Sequence, residues 1–237
     1  MPQREPLSSP LLGALAVVAA LAGCWLVLAV ESLAQGGVGA LGGFVAHGVA
    51  FPPPYGVPLV RQSLGGPHGA WSWTAFLLAG PIAALAVGFG AHALAEVIGA
   101  SGWLRVVAFE VFAIAWLRLP LQILASGLPG GRGGSGPLGT LYARLGEPES
   151  GRWAAVGIGL LALWGIAGLV SARAVTVGRT WLRTDDAAFR RRLVRVLAGY
   201  PFVVASGAFV FERPFGSVPM VVAGLVLVVA ALTARTS

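Results

Sequence analysis

The chain has 237 residues, of which 57% are hydrophobic and only 11% charged, against roughly 25% charged in ordinary soluble domains. Its mean hydropathy is +0.82. A chain this apolar lacks the polar surface to fold in water, which excludes soluble globular, coiled-coil and disordered classes. All 16 basic residues are arginine, and nine acids leave a net charge of +7. No basic stripe interleaved with base-stacking aromatics accompanies this charge. It therefore reads as loops facing anionic lipid, with no nucleic-acid partner. The single cysteine, Cys24, excludes an internal disulfide and a cysteine-built zinc cage. Lysine-free, Ala/Gly/Val-rich usage points to a high-GC bacterial genome.

The expected fold class is an all-α polytopic membrane protein, a single integral membrane domain over 1–237 with about six transmembrane helices. A spanning helix needs roughly 20 apolar residues, and the first is expected over about 11–31. Leu21-Ala22-Gly23-Cys24 matches a bacterial lipobox. The apolar run continues through Trp25–Val30, however, so a retained helix is the better reading than a cleaved lipoprotein. Next comes a Gly-rich stretch, 36–48, too interrupted for a span, and then Phe51-Pro52-Pro53-Pro54-Tyr55, which breaks any helix. Residues 32–70 read as a surface or re-entrant segment with short strands near 43–51 and 57–63.

The second helix is expected over about 72–98 with Pro81 inside it, and the third over about 103–126 with Pro120 near its end. A Gly/Pro-rich loop, 127–151, leads to a fourth helix over about 152–175. Residues 184–198 form an amphipathic helix. Thr184 can cap it, Asp185 and Asp186 lie in the first turn, and Arg190, Arg191, Arg192 and Arg195 come later. Phe189, Leu193, Val196 and Leu197 share one face, so the helix is expected to lie at the interface on anionic lipid, or to dock an acidic partner. The fifth and sixth helices, about 197–212 and 217–234, form a hairpin around Glu212–Gly216.

Arginine density over 173–195, including Arg183, places that region in the cytoplasm. Counting through six helices puts both termini there, in the inner membrane of a bacterium. Trp71, Trp73, Trp103, Trp153 and Trp181 fall near helix ends, where indole rings favour the headgroup layer.

Ionisable residues inside apolar spans are costly and mark candidate sites. They are Glu31, His92, Glu96, Arg105, Glu110 and Arg118. His92 and Glu96 share a helix face and could supply two metal ligands. A catalytic zinc takes about three protein ligands, so no metal or other cofactor is expected. Glu31, Glu96, Glu110 and Arg118 are the candidates for a polar route through the membrane. Ser135 lies in a Gly-rich run without a nucleophile elbow, and the chain has no Walker-type lysine. Small pairs four apart, Ala84/Gly88, Ala155/Gly159 and Ala167/Ser171, permit close helix approach, within the chain or with another subunit.

Several short motifs occur in a familiar order. Val30-Glu31-Ser32-Leu33-Ala34 ends the first span, followed by Gly42-Gly43, then Phe51-Pro52-Pro53, then Leu78-Ala79-Gly80-Pro81. Later come Gly134-Ser135-Gly136-Pro137-Leu138, Leu145-Gly146-Glu147-Pro148 and Trp153. Over about residues 20–165 this order resembles the site-2-protease-like membrane metallopeptidase family. That family carries H-E-x-x-H at the end of an early membrane helix and a later aspartate ligand. The resemblance puts Val30 and Ala34 at the two zinc histidines and Gly136 at the aspartate, so only Glu31, at the general-base position, survives. It implies a pseudoenzyme that kept the scaffold and lost the metal, with Glu31 capping a helix or pairing with an arginine. The expected function is a non-catalytic accessory or scaffolding subunit among other membrane proteins. Alternatives are a transporter or channel component, and a divergent intramembrane protease built from Glu31, His47, His68 or His92.

Overall fold

The computed structural model describes residues 9–51, 56, 58–63, 69–99, 102–127, 146, 149–179 and 187–209. Its first helix, α1 (Ser9–Leu41), has 33 residues and is about 50 Å long, well beyond the roughly 30 Å of a bilayer core. The expected end at residue 31 is therefore corrected by some ten residues. Glycines that look like breakers in the sequence are contact points. A Cβ at Gly36 would meet Val60 Cγ2 at 2.6 Å, and one at Gly39 would meet the Gln62 side chain at 2.5 Å. The helix stops where Gly43 turns to φ 85°. The Phe44 amide reaches the Gly39 carbonyl at 3.0 Å and the Gly43 amide reaches Ala40 at 3.2 Å, the paired closure of a Schellman cap.

Two strands follow, β1 (Val45–Ala50) and β2 (Leu59–Ser63), within the stretches 43–51 and 57–63 where short strands are expected. They pair antiparallel, with a bulge between Ala46 and Gly48. β2 lies against the upper part of α1. The Val60 amide donates to Ser32 Oγ at 3.0 Å, and Gln62 Nε2 donates to the Gly36 carbonyl at 2.6 Å. Phe44 stacks on Phe76 at 4.8 Å and meets Trp73 edge-on at 5.0 Å, which fastens the α1–β1 joint to the start of the next helix.

α2 (Ala70–Val97) and α3 (Trp103–Gly127) match their expected bounds closely, with Pro81 and Pro120 inside them. α4 (Glu149–Arg179) starts earlier and ends later than expected. α3 is the central helix, packing on α1, α2 and α4. It runs parallel to α1, since Gly23 faces Val111 and Glu31 reaches Arg118. It runs antiparallel to α4, whose Gly159 faces Leu124.

Lipid is as apolar as a leucine side chain, so helices associate in a membrane through close van der Waals packing. The small pairs serve this purpose inside the chain. A Cβ at Gly88 would come within 2.6 Å of Ala115, and one at Gly159 within 2.8 Å of the Leu124 amide nitrogen. Ala84, Ala155, Ala167 and Ser171 are all buried. These faces are spent within the fold and are not open to another subunit.

The expected amphipathic helix and fifth helix form one continuous run: α5 (Ala187–Val194), a π-helical turn (Arg195–Gly199) and α6 (Tyr200–Phe209). Pro201 explains the wide turn. It has no amide to return to Leu197, and the Tyr200 amide bonds back to the Arg195 carbonyl instead. Leu193, Val194 and Leu197 belong to the main core beside Leu12, Ala16 and Val106. The apolar face of this helix is therefore turned into the protein rather than laid on lipid.

Among the described residues four helices are long and apolar enough to cross a membrane: α1, α2, α3 and α4. Trp71, Trp103 and Trp153 stand exposed at the starts of α2, α3 and α4, the places expected of headgroup anchors. The expected span 217–234, the turn Glu212–Gly216, the loop containing Ser135 and Gly136, and Arg183 lie outside the described residues.

Candidate functional site

The upper half of α1 brings three things to one place. Glu31 is buried at 6% exposure, its neighbour Ser32 holds β2, and one turn later Gly36 receives Val60. Arg118 of α3 donates from Nε to Glu31 Oε1, forming a buried ion pair. Gln122, one turn further along α3, extends Nε2 to the same oxygen at 3.5 Å. Positions 118 and 122 share a helix face, which is how a single helix presents both donors to one carboxylate. Pro120 sits between them and is buried.

This arrangement decides what Glu31 can do chemically. A general base needs a free lone pair directed at a water or substrate proton. The Glu31 oxygen closest to α3 is engaged by a guanidinium, a strong charge-assisted contact. The pairing with an arginine is one of the two roles that the sequence left open. The residue facing Glu31 lies on α3, not in the 134–138 stretch to which the family resemblance assigned the missing aspartate position.

The other singled-out residues scatter. His92 rests on Phe112 of α3, ring centroids 5.0 Å apart, and Glu96 is exposed in the last turn of α2. His47 sits at the β1 bulge, its Nε2 2.5 Å from Ser63 Oγ. His92 is 22 residues along α2 from that end of the molecule, about 33 Å away. His68 is outside the described residues. Among the described residues no group of three or more His, Cys, Asp or Glu converges as metal ligands.

Glu110 differs from all of these. It is fully buried near the start of α3, and neither carboxyl oxygen has a hydrogen-bond partner among the described residues. The Arg105 Nε, more than a turn nearer the start of α3, is likewise buried without an acceptor among the described residues. Arg190, Arg191 and Arg195 are half-buried and Arg192 exposed on the α5–π run. Sequence reasoning flagged Glu31 and Arg118 separately. It missed Gln122, Ser32 and Gln62, which carry no charge and sit at unremarkable positions. The only available signal was that each is a polar residue within an apolar or Gly-rich stretch. No known family model, curated protein or solved structure shows a detectable match to this chain.

Proposed function

We propose that the chain is a non-catalytic integral membrane protein, an accessory or scaffolding subunit built on a metallopeptidase-like plan whose metal-binding centre has become a salt bridge. The observation that carries this reading is the Arg118–Glu31 pair. The one candidate general base is clamped by a cation supplied by the chain itself. A buried pair of this kind is costly to assemble and costlier to break, so it holds α1 to α3 and, through Ser32 and Gly36, carries the β1–β2 hairpin on a fixed base. In this reading the chain crosses the inner membrane of a bacterium six times, with 217–234 as the last span and both termini in the cytoplasm.

The test is purification from the native membrane in mild detergent, with mass spectrometry of co-purifying chains and elemental analysis of the same fraction. A stoichiometric set of other membrane subunits without zinc is the expected result. A solitary chain overturns the accessory-subunit reading, and bound zinc restores the protease.

Glu110 favours a second reading, a component of a transporter or channel. A fully buried carboxyl group whose two oxygens have no hydrogen-bond partner among the described residues is the type of residue found on ion and proton pathways. Flux measured in liposomes decides it: flux abolished by Glu110→Gln supports a route through α3, and unchanged or absent flux removes this reading.

A further inference from the structure

The end of the bundle opposite the hairpin gathers more arginine than acid, with exposed Glu96 in the last turn of α2 as the carboxylate on its surface among the described residues. α3 begins there and α4 ends there, because Gly13 near the start of α1, which runs parallel to α3, and Gly178 near the end of α4 both face the α5–π run, at Val196 and Leu193. α5 is drawn onto the same end of α4, where a Cβ on Gly178 would meet Leu193 at 2.5 Å. The π turn in turn packs on α3. Arg105 of α3, Arg173 of α4, and Arg191, Arg192 and Arg195 of the α5–π run have no acidic partner among the described residues. Over 173–195 the sequence sets seven arginines against two aspartates.

Two details make this more than a solvated basic face. The Arg105 Nε is a buried donor with no acceptor among the described residues, and a buried donor left unmade costs free energy that a ligand would return. Arg191 and Arg195 are four apart, so two like-charged side chains occupy successive turns, a repulsion that a bound anion would relieve, and Arg195 Nε lies back against the Arg191 backbone carbonyl at 3.3 Å. Beside Arg105, Trp103 is 58% and Leu104 is 41% exposed. An apolar surface thus continues directly from the charged one, at the level where a tryptophan anchors a helix in the headgroup layer.

We propose that this end of the bundle is a binding site for an anionic phospholipid. Arg105, Arg191 and Arg195 hold its phosphate, and an acyl chain lies along Trp103 and Leu104. The site differs from a helix lying flat on a charged membrane, because the apolar face of α5 is already used in the core. It does not depend on the accessory-subunit reading.

The test uses the full chain in mild detergent, with phosphatidylglycerol, phosphatidylcholine and inorganic phosphate as separate probes, read by native mass spectrometry and thermal unfolding. Phosphatidylglycerol is expected to be retained about 10- to 30-fold more strongly than phosphatidylcholine. The preference should fall as ionic strength rises. Arg191→Gln/Arg195→Gln and, separately, Arg105→Gln should each reduce it several-fold, while Arg61→Gln on the hairpin leaves it unchanged. Equal retention of the two lipids overturns the proposal, as does a preference that survives both the double variant and Arg105→Gln. Protection by inorganic phosphate equal to that by phosphatidylglycerol rejects the lipid as the ligand. If either variant fails to fold, the salt dependence of the unmodified chain decides, and a preference insensitive to salt overturns the site.

Discussion

Two of the described glutamates are buried, and they are accommodated in opposite ways. Glu31 on α1 meets Arg118 of α3 and has Gln122 beside it. Glu110, two turns and about 12 Å earlier on α3, meets no hydrogen-bond donor among the described residues. The difference shows where this fold is over-determined and where it carries an uncompensated cost. A paired carboxylate ties two helices together, whereas an unpartnered one only subtracts from stability unless a ligand or a transported ion uses it.

Breaking the paired site should produce the largest effect. Arg118→Leu strands Glu31 and should cost about 3–5 kcal/mol, whereas the double change Glu31→Leu/Arg118→Leu should recover most of that loss. Reversible unfolding in mixed micelles measures both, and equal losses in the single and double variants would show that the pair is not coupled. At the unpaired site the sign reverses. Glu110→Leu should stabilise the bundle by about 1–3 kcal/mol, because it removes a buried group with no partner. A marked loss in the same assay would mean that Glu110 has a partner beyond the described residues.

The hairpin sharpens the comparison further, since it is mounted on the same stretch of α1 as Glu31. Gly36→Val places side-chain atoms where Val60 already sits and should cost about 1–3 kcal/mol, with faster proteolytic nicking at 44–63. Gly37→Ala, on the open side of the helix with nothing within 4 Å, should instead gain about 0.5–1 kcal/mol from helix propensity. If the two changes have equal effects, β2 does not rest on α1 as described. The smallest expected effect is that of Ser32→Ala, about 1 kcal/mol from one lost hydrogen bond. It should be visible as faster hydrogen exchange at the Val60 amide.

These sites were legible in the sequence to different degrees. Glu31 and Glu110 stand out because a charge within an apolar run is rare. Their fates do not, because the nearest cation to Glu31 is 87 residues away in sequence, and spacing along one helix carries no information about which helix face meets another. The extent of α1 was misread for a related reason. Glycine weakens an isolated helix, yet at Gly36 and Gly39 the missing side chain admits β2, and the packing gained outweighs the propensity lost. Amphipathicity in α5 was equally ambiguous, since an apolar stripe suits a lipid surface and a protein core alike.

Composition alone determined that this chain belongs in a membrane and is mostly helical, because 57% hydrophobic residues and 11% charged ones admit no other solvent. Apolar run length placed α2 and α3 within two residues of their observed bounds. Tertiary structure alone decided that α3 is the central helix, that the small-residue faces close on their own chain, and that Arg118 answers Glu31. Those outcomes depend on contacts between residues far apart in the chain, which a period of 3.6 or 2 cannot encode.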